Sequence, residues 1–309
     1  MCFPTGIVST PRGRAKGRPY RNRGFLLKRL LIIIVLLWCH HASATCPRTV
    51  ALAPNLTEIV FALGKGDCLV GVSEGSDYPP EAKKLPQIGG YYQNLNLERV
   101  LTLKPDLVLA LQANERQTPV AEKLQKRGLE VVSVPSESVA DIKAAIRSVG
   151  ARLEVTGQAE AIVAGMERDF LGLRERLQKM KMAARPKVAL ILWRTQGTLQ
   201  DLYVAGGTGF HNELLQAIGV QNIFGDLTTP FPRIAKEALI ARNPEVIIDA
   251  LPSHTAEDMR TSLALWDRLT PLQAVQKKKI YPLALAEITI PGPRIGQVAK
   301  TLFETVYGH

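Results

Sequence analysis

Two aromatic residues and two glutamates occupy matching positions in the two halves of this 309-residue chain. Tyr92 stands six residues before Glu98 and Phe231 stands six before Glu237, and each residue is 139 positions from its counterpart. Both aromatics lie in Gly- or Pro-rich stretches that lead into a helix. Two rings facing each other across a cleft suit a large, flat, partly apolar ligand, because each ring buries much area at little entropic cost. The alternative is that each ring fills the interior of its own lobe.

The two glutamates have a simple structural interpretation and a functional one. Glu98 and Glu237 are predicted in the first turn of equivalent helices, where the helix dipole favours a carboxylate. Two equivalent glutamates on the cleft side of two lobes would also form a symmetric acidic pair for a two-fold partner that carries arginines. Trp193, at the end of the predicted strand Lys187–Trp193, is a further candidate aromatic contact for a ligand.

Most sequence patterns that carry catalysis are missing. The chain has no P-loop, and the run Gly206–Gly209 lacks the third glycine of a dinucleotide-binding loop. The histidines His211, His254 and His309 are scattered, and no CxxC or HExxH motif accompanies them. These observations predict neither an enzyme nor a protein with a resident cofactor or metal.

The elements that must position these residues alternate along the chain. Apolar runs of five to seven residues alternate with helical segments, which is typical of parallel α/β units. The stretch 98–109 reappears as 237–248, and 58–64 reappears as 213–219 at an offset of 155. Two matches in the same order predict two similar α/β lobes with mainly parallel sheets. Ligands of such sheets bind beyond the carboxyl ends of the strands.

The first α/β unit can be predicted in most detail. Strand Val50–Ala53 ends at Pro54, Asn55 is predicted to cap a helix with Glu58 three residues on, and that helix stops at Gly64. Further segments are predicted as strands Leu69–Val72, Leu107–Leu111 and Glu130–Val134, and as helices Leu97–Leu103 and Pro119–Arg127.

A long helix is predicted between the lobes. The stretch 156–184 contains no proline and places apolar residues at helical spacing, and Pro186 marks its end. About 28 residues at 1.5 Å each make a helix of roughly 40 Å. We therefore expect an N-terminal lobe at 45–155, a single rigid linking helix at 156–185 and a C-terminal lobe at 186–309, with the ligand cleft between the lobes.

The net charge of the chain resides mostly in a leader. The formal charge is +11, from 39 Lys and Arg against 28 Asp and Glu, but the first 44 residues hold eight of the basic residues and no acidic one. The remaining balance of 31 to 28 does not predict a nucleic-acid partner. The leader's apolar run Leu30–Cys39 is shorter than the ~20 residues that span a bilayer, and the small residues Ala42–Ala44 follow it. We expect a cleaved signal peptide at 1–44 and a periplasmic protein; the alternative is a retained N-terminal anchor.

The two cysteines that follow the leader fit export. Cys46 and Cys68 each precede an apolar run, so both are predicted at the same end of neighbouring parallel strands. A disulfide between them would contribute about 3 kcal/mol by loop entropy in an oxidising compartment. Two unpaired thiols are the alternative.

Several stretches resemble the vitamin-B12-binding proteins of ABC importers, within the class of periplasmic solute-binding proteins whose lobes are joined by one long helix. The resemblance covers most of the chain after the leader and is most specific at 76–82, 96–100, 104–108, 221–224 and 292–295. It implies that Tyr92 and Phe231 stand where that family places ligand-contacting tryptophans, and that Trp193 lies near another aromatic contact. It also matches Glu98 and Glu237 with the glutamates that dock onto permease arginines.

The resemblance has departures that concern the ligand. Gly75 occupies the place of a ligand-contacting tyrosine, the loop Ala286–Pro291 is largely apolar where the family supplies polar contacts, and the family's second-lobe disulfide is absent. The expected function is a monomeric periplasmic subunit that binds cobalamin or a related corrinoid and delivers it to an inner-membrane permease with a separate ATPase subunit. Haem, with Tyr91 or Tyr92 on the iron, and a ferric siderophore, held by several Arg or Lys, are alternatives of the same class. A periplasmic enzyme on this scaffold is an alternative of another class.

Overall fold

The computed structural model describes residues 46–90, 95–112, 114–115, 117–180, 184–251, 255–284 and 286–308. The leader at 1–44 and the two tyrosines Tyr91 and Tyr92 lie outside the described residues. None of the helices in the described ranges combines the length and the hydropathy that crossing a bilayer requires.

The first half of the described chain builds an all-parallel sheet in the order β2-β1-β3-β4. Its strands are β1 (Thr49–Ala51), β2 (Leu69–Val72), β3 (Leu107–Leu111) and β4 (Glu130–Val134). Every residue of β3 is buried, as expected for a parallel strand with both faces covered. The last three predicted strands are confirmed, whereas β1 begins one residue earlier and ends two earlier than predicted.

Helices connect the strands of this sheet. They are α1 (Pro54–Ala62), α2 (Leu97–Thr102), α3 (Thr118–Gln125) and α4 (Val139–Arg152), with short 3-10 helices at Gly66–Cys68 and Pro80–Lys84. The side chain of Asn96 caps α2 by accepting the backbone N–H of Arg99 at 2.9 Å. Ser138 and Asp141 form a capping box at the start of α4.

The predicted cap of α1 is wrong. The helix begins at Pro54 with Ala53 at the N-cap, and no side chain caps it. Asn55 instead donates from Nδ2 to the carbonyl oxygen of Pro291, and Glu58 pairs with Arg294. The sequence pattern of a capping box was present, but its two polar side chains are used by the far end of the chain.

The second half builds a mixed sheet in the order β10-β9-β5-β6-β8, with β7 also paired to β5. Its strands are β5 (Lys187–Trp193), β6 (Leu202–Val204), β7 (Gln221–Asn222), β8 (Arg233–Ile234), β9 (Val246–Leu251) and β10 (Ile280–Ala284). The pairs among β5, β7, β9 and β10 are parallel, and β6 runs antiparallel to β5 and β8. Its helices are α6 (Gly209–Ala217), α7 (Lys236–Arg242), α8 (Ala256–Trp266), α9 (Gln273–Gln276) and α10 (Ile295–Tyr307), with a 3-10 helix at Ala286–Thr289.

One helix, α5 (Thr156–Met180), connects the two sheets. Its 25 residues make about 37 Å of helix. It packs against α4 of the first half and α10 of the second. Its buried side chains, at Ala159, Val163, Met166 and Leu173, follow the predicted apolar stripe. The same cluster of buried side chains contains residues from α1 and from α6, so the two halves share one core through this helix.

The backbone confirms the duplication. Strands β3 and β9 begin 139 positions apart, and each follows a turn with a left-handed residue, Lys104 in one half and Asn243 in the other, both at φ 46°. Gly64 and Gly219, 155 positions apart, end α1 and α6 with φ of 71° and 73°. Each repeat is therefore the same helix–turn–strand unit.

A disulfide joins Cys46, which precedes β1, to Cys68, which precedes β2, with their Cα atoms 5.5 Å apart. Because β1 and β2 are parallel neighbours, the two cysteines lie at the same end of the sheet.

Candidate ligand-binding site

The carboxyl ends of the first sheet share one edge, because its strands are parallel. The chain leaves β2 there into the loop 73–79, which contains Gly75 and Tyr78. Gly75 has φ +79°, and among the described residues a Cβ atom at this position would meet only Pro54, at 3.7 Å from its Cγ. The glycine therefore leaves open space where the family resemblance implies a tyrosine.

Two predicted aromatic contacts of the second half are half exposed. Trp193, the last residue of β5, is 50% exposed, and Phe231, in the loop before β8, is 45% exposed. Trp193 stacks edge-on against Tyr203 with ring centroids 5.5 Å apart. Phe231 stacks edge-on against His211 at 5.0 Å. Each ring is supported from inside the half to which it belongs and keeps area free for a ligand.

The two glutamates lie where the sequence predicts them. Glu98 is in the first turn of α2 and Glu237 in the first turn of α7, and both are exposed. A hollow of about 530 Å³ opens beside Glu237, between the turn that precedes β6 and the start of α7. It is lined by Leu199, Gln200, Asp201, Arg233, Ile234, Ala235, Lys236 and Glu237.

His211 supports Phe231 from inside the protein, a role that the sequence did not indicate. The ring is fully buried, and its Nε2 donates to the carbonyl oxygen of Ile288 at 2.7 Å. Phe210 covers it with ring centroids 3.9 Å apart. Burial lowers the pKa of His211 to about 4, although the hydrogen bond to Ile288 opposes this. The imidazole is therefore neutral at pH 7, and its Nδ1 has no hydrogen-bond partner among the described residues.

An ion pair joins the two halves behind the loop of Tyr78. Arg294, at the N-cap of α10, donates to Glu58 of α1 through Nη2 at 2.6 Å and Nε at 3.0 Å. The Glu58 side chain is 4% exposed, and Glu287 lies 3.7 Å from Nη1 of Arg294. Burial raises the pKa of Glu58, while the hydrogen bonds and charge of Arg294 oppose that rise. The sequence predicts Glu58 only as part of a helix cap and of a repeat, because its ion-pair partner is 236 residues away.

A buried polar network fixes the end of β5 next to Trp193. Arg194 donates from Nη2 to Asp249 of β9 at 2.9 Å, and the side chain of Asp249 has no exposed surface. Asp249 also accepts from Ser262 Oγ at 2.6 Å and from Trp266 Nε1 at 2.9 Å. Such a satisfied network is rigid. The backbone that carries Trp193 is therefore held firmly in place.

The half-exposed rings of Trp193 and Phe231 offer surface for binding a ligand. Within the described ranges, no three His, Cys, Asp or Glu residues come together in a group that could hold a metal ion. Besides the two exposed glutamates, the exposed groups described above are aromatic rings on rigid supports, and the buried ion pairs Arg194–Asp249 and Arg294–Glu58 hold those supports. The positions of Tyr91 and Tyr92 lie outside the described residues, so their roles stay predictions.

Comparisons with known proteins agree with a binding role. Residues 50–284 match the profile of the family described as periplasmic binding protein. The vitamin B12-binding protein of Pectobacterium atrosepticum is 34% identical over 213 residues, which cover 69% of this chain and 75% of that protein.

Solved structures share the fold. The periplasmic vitamin B12 binding protein BtuF of Vibrio cholerae has a TM-score of 0.69 at 25% identity, over 84% of this chain and 96% of that one. A periplasmic heme binding protein from Pseudomonas aeruginosa has a TM-score of 0.72 at 25% identity, over 85% and 93% of the two chains.

Proposed function

Since this chain belongs to the periplasmic binding protein family, we propose that it is the solute-binding subunit of an ABC importer and that it carries cobalamin or a related corrinoid. The observation that carries the proposal is the pair of half-exposed rings, Trp193 and Phe231, on a chain 34% identical to a vitamin B12-binding protein. A corrin ring is large, flat and partly apolar, so aromatic rings are suitable contacts for it. Each buried 100 Å² of apolar surface contributes about 2.5 kcal/mol.

Haem is the second candidate, because a heme binding protein has the same fold. Haem needs an iron ligand, and Tyr91 or Tyr92 is the proposed source. His211 is a poor source, since its ring is buried and its Nε2 is engaged with Ile288. A corrinoid places fewer demands on the protein, because its metal already carries its own ligands.

The proposed partner is an inner-membrane permease with a separate ATPase subunit. The exposed glutamates Glu98 and Glu237, one from each repeat, suit a two-fold partner that presents arginines. The lobe bounds 45–155 and 186–309, with the linking helix at 156–185, are part of this proposal, as is a monomeric state. We also propose that the leader at 1–44 directs export to the periplasm and is removed, and the disulfide between Cys46 and Cys68 is compatible with that oxidising compartment.

Calorimetric titration of the protein without its leader tests the proposal. Cyanocobalamin, haemin and ferric siderophores are titrated separately under the same conditions. Saturable one-to-one binding of cyanocobalamin, tighter than that of the other two, is the expected result. No saturation by cyanocobalamin overturns the corrinoid proposal, and saturation by haemin alone favours the second candidate.

A further inference from the structure

Tyr78 is an exposed aromatic residue that is nevertheless held in place. Its side chain is 48% exposed, comparable to Trp193 and Phe231. One face of its ring lies on the guanidinium of Arg294, with the Cζ atom 4.0 Å from the ring centroid. A ring with one face covered and its remaining surface in solvent has lost much of its freedom before a ligand arrives. Contact with a ligand then costs little further entropy.

The support beneath Tyr78 is itself fixed. Arg294 is held by two hydrogen bonds to Glu58 and by the charge of Glu287. Glu58 is buried on α1, and Gly292 approaches it so closely that a Cβ atom there would lie 3.4 Å from Oε2. The guanidinium of Arg294 therefore has a fixed position, and the Tyr78 ring that packs on it is positioned by it.

The loop that carries Tyr78 is anchored to the same helix. The buried hydroxyls of Ser76 and Thr57 lie 3.1 Å apart and hydrogen bond, and Ser73 donates its backbone N–H to Ala51 at 3.1 Å. Thr57 stands next to Glu58 in α1. Both the loop of Tyr78 and the support of its ring are thus attached to one rigid element of the first half.

Tyr78 lies three residues after Gly75, the position at which the family resemblance implies a ligand-contacting tyrosine. Among the described residues, only Pro54 lies within 4 Å of where a Cβ atom of residue 75 would stand, so space is open there at the carboxyl edge of the sheet. The segment that supplies Arg294 continues from Ile290 and Pro291, whose side chains are apolar, and Asn55 binds the carbonyl of Pro291 at 3.3 Å. This corner thus offers an aromatic ring next to an apolar segment.

The geometry points to Tyr78 as a ligand-contacting residue of the first half, which packs its ring on a flat, partly apolar macrocycle while Arg294 acts as its positioning residue. This inference rests on the proposed binding function. It gives the first half a described aromatic contact, with the space beside Gly75 accommodating the ligand.

Calorimetry with Tyr78→Ala tests the inference, with cyanocobalamin as the probe and haemin as the second probe if cyanocobalamin does not saturate the wild type. Leu171→Ala is the matched control, because Leu171 is also a large exposed side chain, at 55%, and lies on α5. Tyr78→Ala is expected to weaken binding at least tenfold, with Tyr78→Phe and Leu171→Ala unchanged. Unchanged affinity in Tyr78→Ala, or equal losses in Tyr78→Ala and Tyr78→Phe, overturns the ring contact while the proposed function stands.

A double-mutant cycle tests the role of Arg294. Arg294→Gln is expected to weaken binding in the wild-type background and to have little effect in the Tyr78→Ala background. Equal losses in both backgrounds overturn the positioning role, because they indicate that Arg294 acts without Tyr78. If neither cyanocobalamin nor haemin saturates the wild type, the proposed function fails, and this inference fails with it.

Discussion

The stability of the protein should fall on mild acidification because of His211. The folded-state pKa of this histidine is lowered to about 4 by burial, whereas its ordinary value is 6.5. As the pH falls below 6.5, the unfolded chain takes up a proton at this position before the folded one does. The stabilising contribution is therefore present above pH 6.5 and is lost as the pH falls towards 4.

The magnitude follows from the two pKa values. One pKa unit corresponds to about 1.4 kcal/mol, so His211 removes about 2 kcal/mol of stability between pH 7.5 and 5, and about 3 kcal/mol by pH 4. The full difference between the folded and unfolded pKa values of His211 is used because the ring has no exposed surface. Protonation of His211 also affects residues outside α6, because the ring contacts Ile288 in the 3-10 helix Ala286–Thr289 and Phe231 in the loop before β8.

Urea unfolding of wild type and His211→Gln, followed between pH 7.5 and 4.5, measures this contribution. Glutamine can donate to the Ile288 carbonyl from nearly the same place as Nε2, but it does not titrate. Other groups titrate equally in both proteins, so the difference between the two unfolding free energies isolates His211. We expect the difference to change by about 2.5 kcal/mol over this range in favour of the glutamine variant. Parallel curves would show that His211 does not carry a lowered pKa.

The remaining predictions concern ligand contact, docking and the disulfide. Phe231→Ala should weaken cyanocobalamin binding by about 2 kcal/mol in calorimetry while leaving the melting temperature within a few degrees, and unchanged affinity would make the ring structural. Reversing both Glu98 and Glu237 to Lys should leave binding intact and abolish transport into vesicles that contain the permease; undiminished transport would refute docking. Replacing Cys46 and Cys68 by Ala should cost about 3 kcal/mol in urea unfolding, as loop entropy predicts for 22 residues. A loss below about 1 kcal/mol would contradict the entropic argument.

The sequence predicts the elements of this fold well where their cause is local. The helix–turn–strand repeats at 98–109 and 237–248 were recognisable because hydrophobic periodicity and the turn residues lie within a dozen positions. Trp193 and Phe231 could be singled out for the same reason: Trp193 ends a strand that its own residues predict, and Phe231 lies in the loop that leads into a repeated helix. Strands β7 and β8 were not predicted, because their two residues each are too few to give a periodic signal.

Prediction failed where a side chain has a distant partner. Asn55 and Glu58 have the spacing of a capping box, but both are engaged by residues 236 positions further on. His211 stood among scattered histidines, and its role depends on Ile288, 77 positions away. Burial strengthens such polar contacts, so a tertiary partner outcompetes a local one whenever the fold encloses both. No local window of sequence contains that information.

These distant contacts also limit how far the two halves can separate. Besides α5, the segment Ala286–Arg294 touches both of them: Ile288 accepts from His211 of the second half, while Pro291 and Arg294 bind Asn55 and Glu58 of the first. Separation of the halves that withdrew Arg294 while Glu58 stayed buried would leave the carboxylate without its partner, which costs several kcal/mol. We therefore expect ligand binding to produce small adjustments of rings and loops at the carboxyl edges of the sheets and not a wide hinge motion.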